Sequence, residues 1–239
     1  MSMKILSLDS SATTASVCLY DTDDEKIIGE FFINTKLTHS QTLVPMIDAV
    51  LKSTKSELSE VDYFAVNCGP GSFTGIRIGV SVIKGMAMAL DKKCISTSTL
   101  ESMAYNFVDA EDVVVCSCMD ARRNQVYNAL FSVNNGEVAR LCEDRAVSVE
   151  DLADELKALG KTVILVGDGA HLVAKATENV DFITLAHDSK RYQTASSVAL
   201  CAIQSIKNDN VLTASSLMPT YLRPSQAERE RIKKEEGKI

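Results

Sequence analysis

Two polar stretches of this chain are suited to holding a metal ion or a phosphate group. Asp9-Ser10-Ser11 directly follows an apolar run, and a carboxylate beside hydroxyls can bind a hard cation. Residues 69–75 are rich in glycine and lie between a predicted strand and a predicted helix. Such a turn lets the backbone approach another body closely and directs helix N–H groups outward. The candidates for cofactor contact are Asp9, Ser11, Gly69, Gly71 and Ser72.

A structural role explains the same residues. Asp9 and the hydroxyls after it favour a hairpin turn, and no glycine follows the acidic residue. Residues 69–75 lack the Gly-Lys-Ser/Thr ending of a P-loop. Ser72 and Thr74 are both suited to cap the next helix. We favour turn formation and capping, and phosphate binding stays the alternative.

Other groups with catalytic or metal-binding chemistry are sparse. The three histidines, His39, His171 and His187, include no pair four residues apart, so no zincin-like spacing exists. Cys116 and Cys118 have the spacing of two residues on one strand face, with no second cysteine pair and no nearby histidine. Structural zinc sites need about four ligands, which favours plain burial of these thiols. We predict no metal site and no catalytic residue.

The elements that position these residues follow the order β-β-β-α-β-α-β-α. Polar turns separate the first three strands, which predicts consecutive hairpins. The pattern predicts strands at residues 4–8, 16–20, 27–33, 63–67 and 93–96, and helices at residues 40–54, 76–90 and 99–107. This order matches one half of the actin-like, sugar-kinase and heat-shock ATPase architecture. We therefore predict an α/β protein with an actin-like ATPase (ribonuclease H-like) fold.

A second, shorter half begins near Val113. It predicts strands and helices at residues 113–119, 125–132, 138–142, 148–159, 163–167 and 194–206. The chain would thus hold two tandem βββαβα-type subdomains, the second reduced. We predict a first subdomain at residues 1–98 that carries the partner surface, a second at residues 99–216, and a C-terminal segment at residues 217–239 with a charged tail.

The helix at residues 76–90 is apolar on nearly all sides, and its only charged residues are Arg77 and Lys84. A helix of this kind must be buried on more than one side. One side packs on its own sheet, and we favour a protein interface over pure core for the other. With the stripe of the preceding helix, the predicted interface is Leu43, Met46, Ile47, Val50, Ile78, Val82, Ile83 and Met86.

Composition limits the class of protein. The chain has 239 residues, and a formal net charge of −7 argues against a broad nucleic-acid surface of its own. Seven cysteines spread along the length indicate reduced thiols rather than a disulfide framework. We see no signal peptide and no membrane-spanning run, so we expect a cytoplasmic protein.

Three motifs carry a resemblance to a known family. They are residues 4–11 at the start, the run Gly69-Pro70-Gly71-Ser72-Phe73-Thr74-Gly75-Ile76-Arg77-Ile78-Gly79, and Pro219-Thr220-Tyr221-Leu222-Arg223 with Ala227-Glu228 after it. The chain resembles the bacterial TsaB family, also called YeaZ. These proteins act in the formation of threonylcarbamoyladenosine at position 37 of tRNAs that read ANN codons.

The resemblance implies a non-catalytic partner of TsaD, the catalytic relative. Thr99 and Met103 stand where TsaD has metal-binding histidines, and a hydroxyl and a thioether do not replace two imidazoles. The glycine motif for nucleotide is reduced to residues 166–170. The resemblance also implies pairing with TsaD through the first-half helices, a homodimer when alone, a ternary complex with TsaE, and only indirect contact with tRNA. No cofactor is expected.

Two other functions remain as alternatives. An ATP-dependent enzyme of the actin-like or sugar-kinase class would depend on Asp9, Ser11 and the glycine loop. A peptidase would need a metal pair or a nucleophile with its base, and neither is visible in the sequence. Tight, magnesium-dependent nucleotide binding would favour the first alternative, and substrate cleavage would favour the second.

Overall fold

The computed structural model describes residues 3–35 and 37–223, which form two β-sheets with helices between and beside them. The first sheet contains β1 (Lys4–Asp9), β2 (Thr14–Asp21), β3 (Lys26–Asn34), β4 (Tyr63–Gly69) and β5 (Lys93–Ser98). Its spatial order is β3-β2-β1-β4-β5, antiparallel from β3 to β1 and parallel from β1 to β5. The helices of this half are α1 (His39–Thr54) and α2 (Phe73–Leu90).

The second sheet repeats this arrangement with shorter elements. Its members are β6 (Val113–Arg122), β7 (Gln125–Asn134), β8 (Glu137–Arg140), β9 (Arg145–Ser148), β10 (Val163–Val166) and β11 (Ile183–Leu185). The order is β11-β10-β6-β7-β8, with β9 also paired to β7. The remaining helices are α3 (Thr99–Ala104), α4 (Val149–Leu159), α5 (Ala170–Ala176), α6 (Asp188–Arg191) and α7 (Ala195–Lys207). The sequence had not predicted β9, β11, α5 or α6.

Helices cover both faces of the first sheet, which explains why every residue of β2 is buried. On one face, Leu6 and Val17 pack with the apolar stripes of α1 and α2. On the other face, Ile5 and Cys18 pack with small and apolar residues of α7, such as Val198. Alternate residues of one strand thus enter two different cores, as the period of two requires.

The carboxyl end of the predicted second subdomain, residues 99–216, needs correction. After α6 the chain returns to the first subdomain, because the small residues of α7 pack on the face of the first sheet opposite α1. Leu212 then exchanges both backbone hydrogen bonds with Cys94, and Leu217 is fully buried in the first core. The hydrophobic periodicity of residues 195–217 does not indicate which of the two sheets they pack against. The sequence therefore could not predict that they pack on the first sheet.

Helix α2 is long and apolar enough, by length and composition alone, to cross a membrane. The core helix of a soluble protein passes the same test, and one face of α2 packs against β4 and β5. Its buried residues include Ile76, Val80 and Ile83. The predicted charged tail, residues 226–238, lies outside the residues described.

Candidate functional site

The glycine loop between β4 and α2 approaches the protein's own backbone. Gly69 has φ 132° and Gly71 has φ 154°, conformations that L side chains rarely adopt. A Cβ on Gly69 would lie 2.2 Å from the carbonyl oxygen of Thr220, and one on Gly71 would lie 2.4 Å from that of Ser11. Ser72 caps α2 by accepting a hydrogen bond from the backbone N–H three residues later, at 3.2 Å. The structural interpretation therefore accounts for this loop without a phosphate.

Asp9 is fully buried and already has hydrogen-bond partners within the fold. Its carboxylate accepts from Asn67 Nδ2 at 2.6 Å, from Ser11 Oγ at 2.8 Å and from the Ser11 backbone N–H at 3.2 Å. Burial raises the pKa of Asp9 above its usual value, while these hydrogen bonds and the charge of His39 oppose the shift. The carboxylate holds the turn after β1 in place.

A cleft of about 360 Å³ lies between the two subdomains. Of the five candidate cofactor residues, Ser11, Gly71 and Ser72 line it, whereas Asp9 and Gly69 are absent from its lining among the described residues. The structure therefore brings together three of the predicted residues. The facing wall is formed by the end of β6 (residues 119–122), by Tyr127 on β7, and by Asp168, which follows β10.

The cleft wall carries two carboxylates and one cation. Asp168 Oδ1 accepts the backbone N–H of Asp120 at 3.2 Å, and burial, together with the negative charge of Asp120, raises the pKa of Asp168. Arg122 contributes the cation, and it is paired with Asp120 at 3.2 Å. No lysine belongs to the described lining. This charge pattern repels a phosphate from the interior of the cleft.

The interface prediction on α1 and α2 requires a correction for five of its eight residues. These five are buried in the first core, so they hold the helices on the sheet and are unavailable to a partner in this fold: Leu43, Met46, Ile47, Val50 and Ile83. The helical periodicity identified the apolar stripe correctly, but that stripe faces inward. The other three residues, Ile78, Val82 and Met86, are all on α2. They are half-buried and pack against the edge of the first core.

The outer face of these two helices still presents apolar groups. Met88 on α2 is 66% exposed and Val44 on α1 is 57% exposed. On the solvent side of α2, Ser81, Gly85 and Ala89 are also exposed and carry no charge. We call the surface formed by Val44, Ile78, Val82, Met86 and Met88 the helix face. Sequence reasoning missed its two most exposed members, because the stripe alone does not say which side the sheet occupies.

The comparisons with known proteins agree with this architecture. The model of the family described as "TsaD: tRNA N6-adenosine threonylcarbamoyltransferase" matches residues 26–230. The protein "tRNA threonylcarbamoyladenosine biosynthesis protein TsaB" of Bacillus subtilis is 31% identical over 95% of this chain and 96% of its own length. The chain belongs to the TsaB family. The TsaB of Escherichia coli is 28% identical over 70% of this chain and 72% of its own.

A solved TsaB relative confirms the fold. "YeaZ from Pseudomonas aeruginosa" superposes with a TM-score of 0.78 and 25% identity, covering 92% of this chain and all of that one. A second structure, described as having similarity to peptidase YeaZ from the same organism, gives a TM-score of 0.81, also at 25% identity and the same coverage. The predicted α/β, actin-like ATPase-type fold is therefore confirmed.

The residues present do not fit the metal site of TsaD. Thr99 and Met103, which the family resemblance places where TsaD has metal-binding histidines, are both fully buried in α3. Met103 belongs to the core of the second sheet, and the Thr99 hydroxyl has no hydrogen-bond partner among the described residues. Within the same residues, no group of three or more histidine, cysteine, aspartate or glutamate side chains is placed to hold a metal ion.

The two cysteines of β6 are packed in the core. Their sulfur atoms lie 3.5 Å apart, and both side chains are completely buried. Burial raises the pKa of Cys116 well above its usual value, and a neutral thiol is a poor metal ligand. Cys116 and Cys118 therefore act as small apolar residues of this sheet.

Proposed function

We propose that this chain is a non-catalytic partner of TsaD in the complex that forms N6-threonylcarbamoyladenosine at position 37 of tRNAs reading ANN codons. As a TsaB family member, it acts in tRNA threonylcarbamoyladenosine biosynthesis. The observation that carries the finer proposal is the contrast between Thr99 and Met103, which are buried where the resemblance places TsaD's metal ligands, and the apolar helix face, of which Val44 and Met88 are exposed.

The helix face is proposed as the surface for TsaD and, in its absence, for a second copy of this chain. Apolar side chains such as Met88 and Val44 are suited to the buried centre of an interface, and methionine adapts to a partner's shape. Gly85 and Ala89 permit close approach of a partner helix, because neither has a side chain beyond Cβ. TsaE would join the TsaD-bound form, and the protein would act in the cytoplasm.

The ATP-dependent alternative lacks an unpaired lysine or arginine for the phosphates of ATP among the described residues that line the cleft. Asp120 and Asp168 lie on its wall, and its one lining cation is already paired. Calorimetric titration with magnesium and ATP tests this alternative directly. Binding in the micromolar range that is lost in Ser11→Ala would favour an enzyme.

Light scattering after size exclusion tests the proposed partnership. We expect the chain alone to give the mass of a dimer and an equimolar mixture with cognate TsaD to give a one-to-one complex. A chain that stays monomeric and does not bind TsaD would contradict the proposal.

A further inference from the structure

Four of the seven arginines that the structure describes gather on one edge of the molecule, and three of these four have no carboxylate partner among the described residues. Away from this edge, in the part of the chain that the structure describes, the remaining three arginines all pair with carboxylates at 3.5 Å or less: Arg140, Arg145 and Arg191. The other four belong to the mouth of the cleft and the β6–β7 turn beside it: Arg77, Arg122, Arg123 and Arg223. Of these four, Arg122 alone has a carboxylate partner among the described residues, its neighbour Asp120.

Aromatic rings are interleaved with these arginines. Phe73 and Tyr221 stack with centroids 4.5 Å apart and planes at 16°, and the Arg77 guanidinium lies 5.5 Å from the Tyr221 centroid. Arg77 Nε also donates to the Tyr221 hydroxyl at 2.7 Å. On the other side of the cleft, the Arg223 guanidinium lies 5.8 Å from the Tyr127 centroid. We call these four arginines and three rings the cleft rim.

The turn between β6 and β7 holds its arginines in an unfavourable backbone conformation. Arg122, Arg123 and Asn124 have φ values of 65°, 56° and 57°, and left-handed residues of this kind are usually glycine or asparagine. At the two arginines this conformation costs roughly 1–2 kcal/mol each. The turn is fixed by Asn124, whose side chain donates to Glu150 at 2.6 Å. It presents Arg122, 87% exposed, to solvent.

Guanidinium groups and aromatic rings on one edge match the chemistry of a single-stranded nucleic acid. Arginines contact phosphates, and aromatic rings stack on bases regardless of sequence. Of the three rings, Tyr221 is 37% exposed, and Phe73 and Tyr127 are half-buried. Asp120 and Asp168 behind the rim repel phosphates from the cleft interior, so a strand would follow the rim rather than enter. We propose that the cleft rim itself contacts a single-stranded segment of RNA, whereas the family resemblance implied only indirect contact with tRNA. This inference depends on the proposed role in tRNA modification, because that role supplies an RNA beside the complex.

The test measures RNA binding by the complex of this chain with TsaD. The probes are the unmodified tRNA substrate and a short fluorescein-labelled oligoadenylate, titrated at several salt concentrations. Each phosphate contact on a single strand contributes about 0.7 to the slope of log K against log salt. We therefore expect Arg77→Gln, Arg123→Gln and Arg223→Gln each to lower that slope by about 0.7. Tyr127→Leu should weaken oligoadenylate binding about tenfold through loss of stacking.

The matched control is Lys175→Gln. Lys175 is an exposed residue of α5 outside the cleft rim, and this substitution removes one positive charge, as the rim substitutions do. It should leave the slope unchanged, and thermal unfolding should show that all variants are folded. A rim variant that behaves like the control would overturn the inference. Competition of unlabelled ATP against the oligoadenylate at equal concentration would also overturn it, because the ligand would then be a free nucleotide.

Light scattering of the same variants with TsaD separates this inference from the proposed function. Intact complexes with reduced RNA binding support both. If the complexes are intact but the rim variants bind RNA as the control does, the RNA-binding inference is refuted and the proposed function is not. Failure of even the unsubstituted chain to bind TsaD refutes the proposed function, and the titration of the chain by itself then decides whether the rim binds RNA.

Discussion

A charge placed at two neighbouring positions of α2 should have opposite consequences. Ile83 is fully buried in the first core, whereas Met88, five residues later, is 66% exposed. Glutamate at position 83 loses the burial of an isoleucine, about 1.5–3 kcal/mol, and adds several kcal/mol for an unpaired buried carboxylate. The sum is comparable with a total stability of about 5–15 kcal/mol. We expect Ile83→Glu to be largely unfolded.

Met88→Glu should instead fold normally and lose its partner. A surface substitution of this kind changes stability by about 0.5 kcal/mol or less. In the proposed complex the same carboxylate would be removed from water, and Lys84, one turn away on α2, already donates to the Ser215 carbonyl oxygen. Burying the charge costs several kcal/mol, so the Kd for TsaD should rise by about a hundredfold. Asn179→Glu, an exposed neutral-to-negative change in the second subdomain, is the matched control.

Circular dichroism melting and calorimetric titration with TsaD measure the two effects. The reasoning is refuted if Met88→Glu binds TsaD like the control, because the helix face is then not the interface. It is equally refuted if Ile83→Glu melts at the temperature of the unsubstituted chain, because Ile83 would not be core.

Three further predictions concern the loop and the turn beside the cleft. Gly69→Ala places a Cβ 2.2 Å from the Thr220 carbonyl oxygen, so calorimetry should record a lower Tm, and an unchanged Tm would argue against this close contact. Tyr221→Leu removes the stack on Phe73, worth about 0.5–1.5 kcal/mol, so Tm should fall by a few degrees, with Tyr221→Phe closer to the original. Burial raises the pKa of Asp9 in the folded state above its usual 3.8. Between the unfolded and the folded pKa, the unfolded state has lost this proton and the folded state still binds it, so the original chain loses stability as pH rises. The stability of Asp9→Asn relative to the original chain, measured by urea unfolding, should therefore increase with pH above 3.8 and be constant below it; a pH-independent difference would mean that Asp9 titrates normally.

Local signals in the sequence predicted the strands and helices of the first half, but not the short elements β9, β11, α5 and α6. The glycine loop does join a strand to a helix, with β4 ending at Gly69 and α2 beginning at Phe73, because the turn chemistry and the apolar runs are contained in a few consecutive residues. What the glycines approach was not predictable. Ser11 and Thr220 are distant in sequence, and only the assembled fold brings them against Gly71 and Gly69.

The helix face shows the same limit in another form. The stripe that includes Leu43 and Ile83 was predicted correctly as apolar, but periodicity does not reveal which neighbour covers it. The sheet covers this stripe, so the exposed residues are others, such as Met88. The β6–β7 turn did carry a signal: two arginines precede asparagine between two strands, where glycine is the usual residue.

The formation of threonylcarbamoyladenosine in a reconstituted system tests the central claim most directly. Unmodified tRNA would be incubated with the carbamoyl-adenylate donor and cognate TsaD and TsaE, with and without this chain, and the modified nucleoside would be measured by mass spectrometry. We predict formation only when this chain is present, and a strong reduction with Met88→Glu but not with Asn179→Glu. Equal formation without the chain would contradict a role as the partner of TsaD, and formation with the chain in place of TsaD would contradict a non-catalytic one.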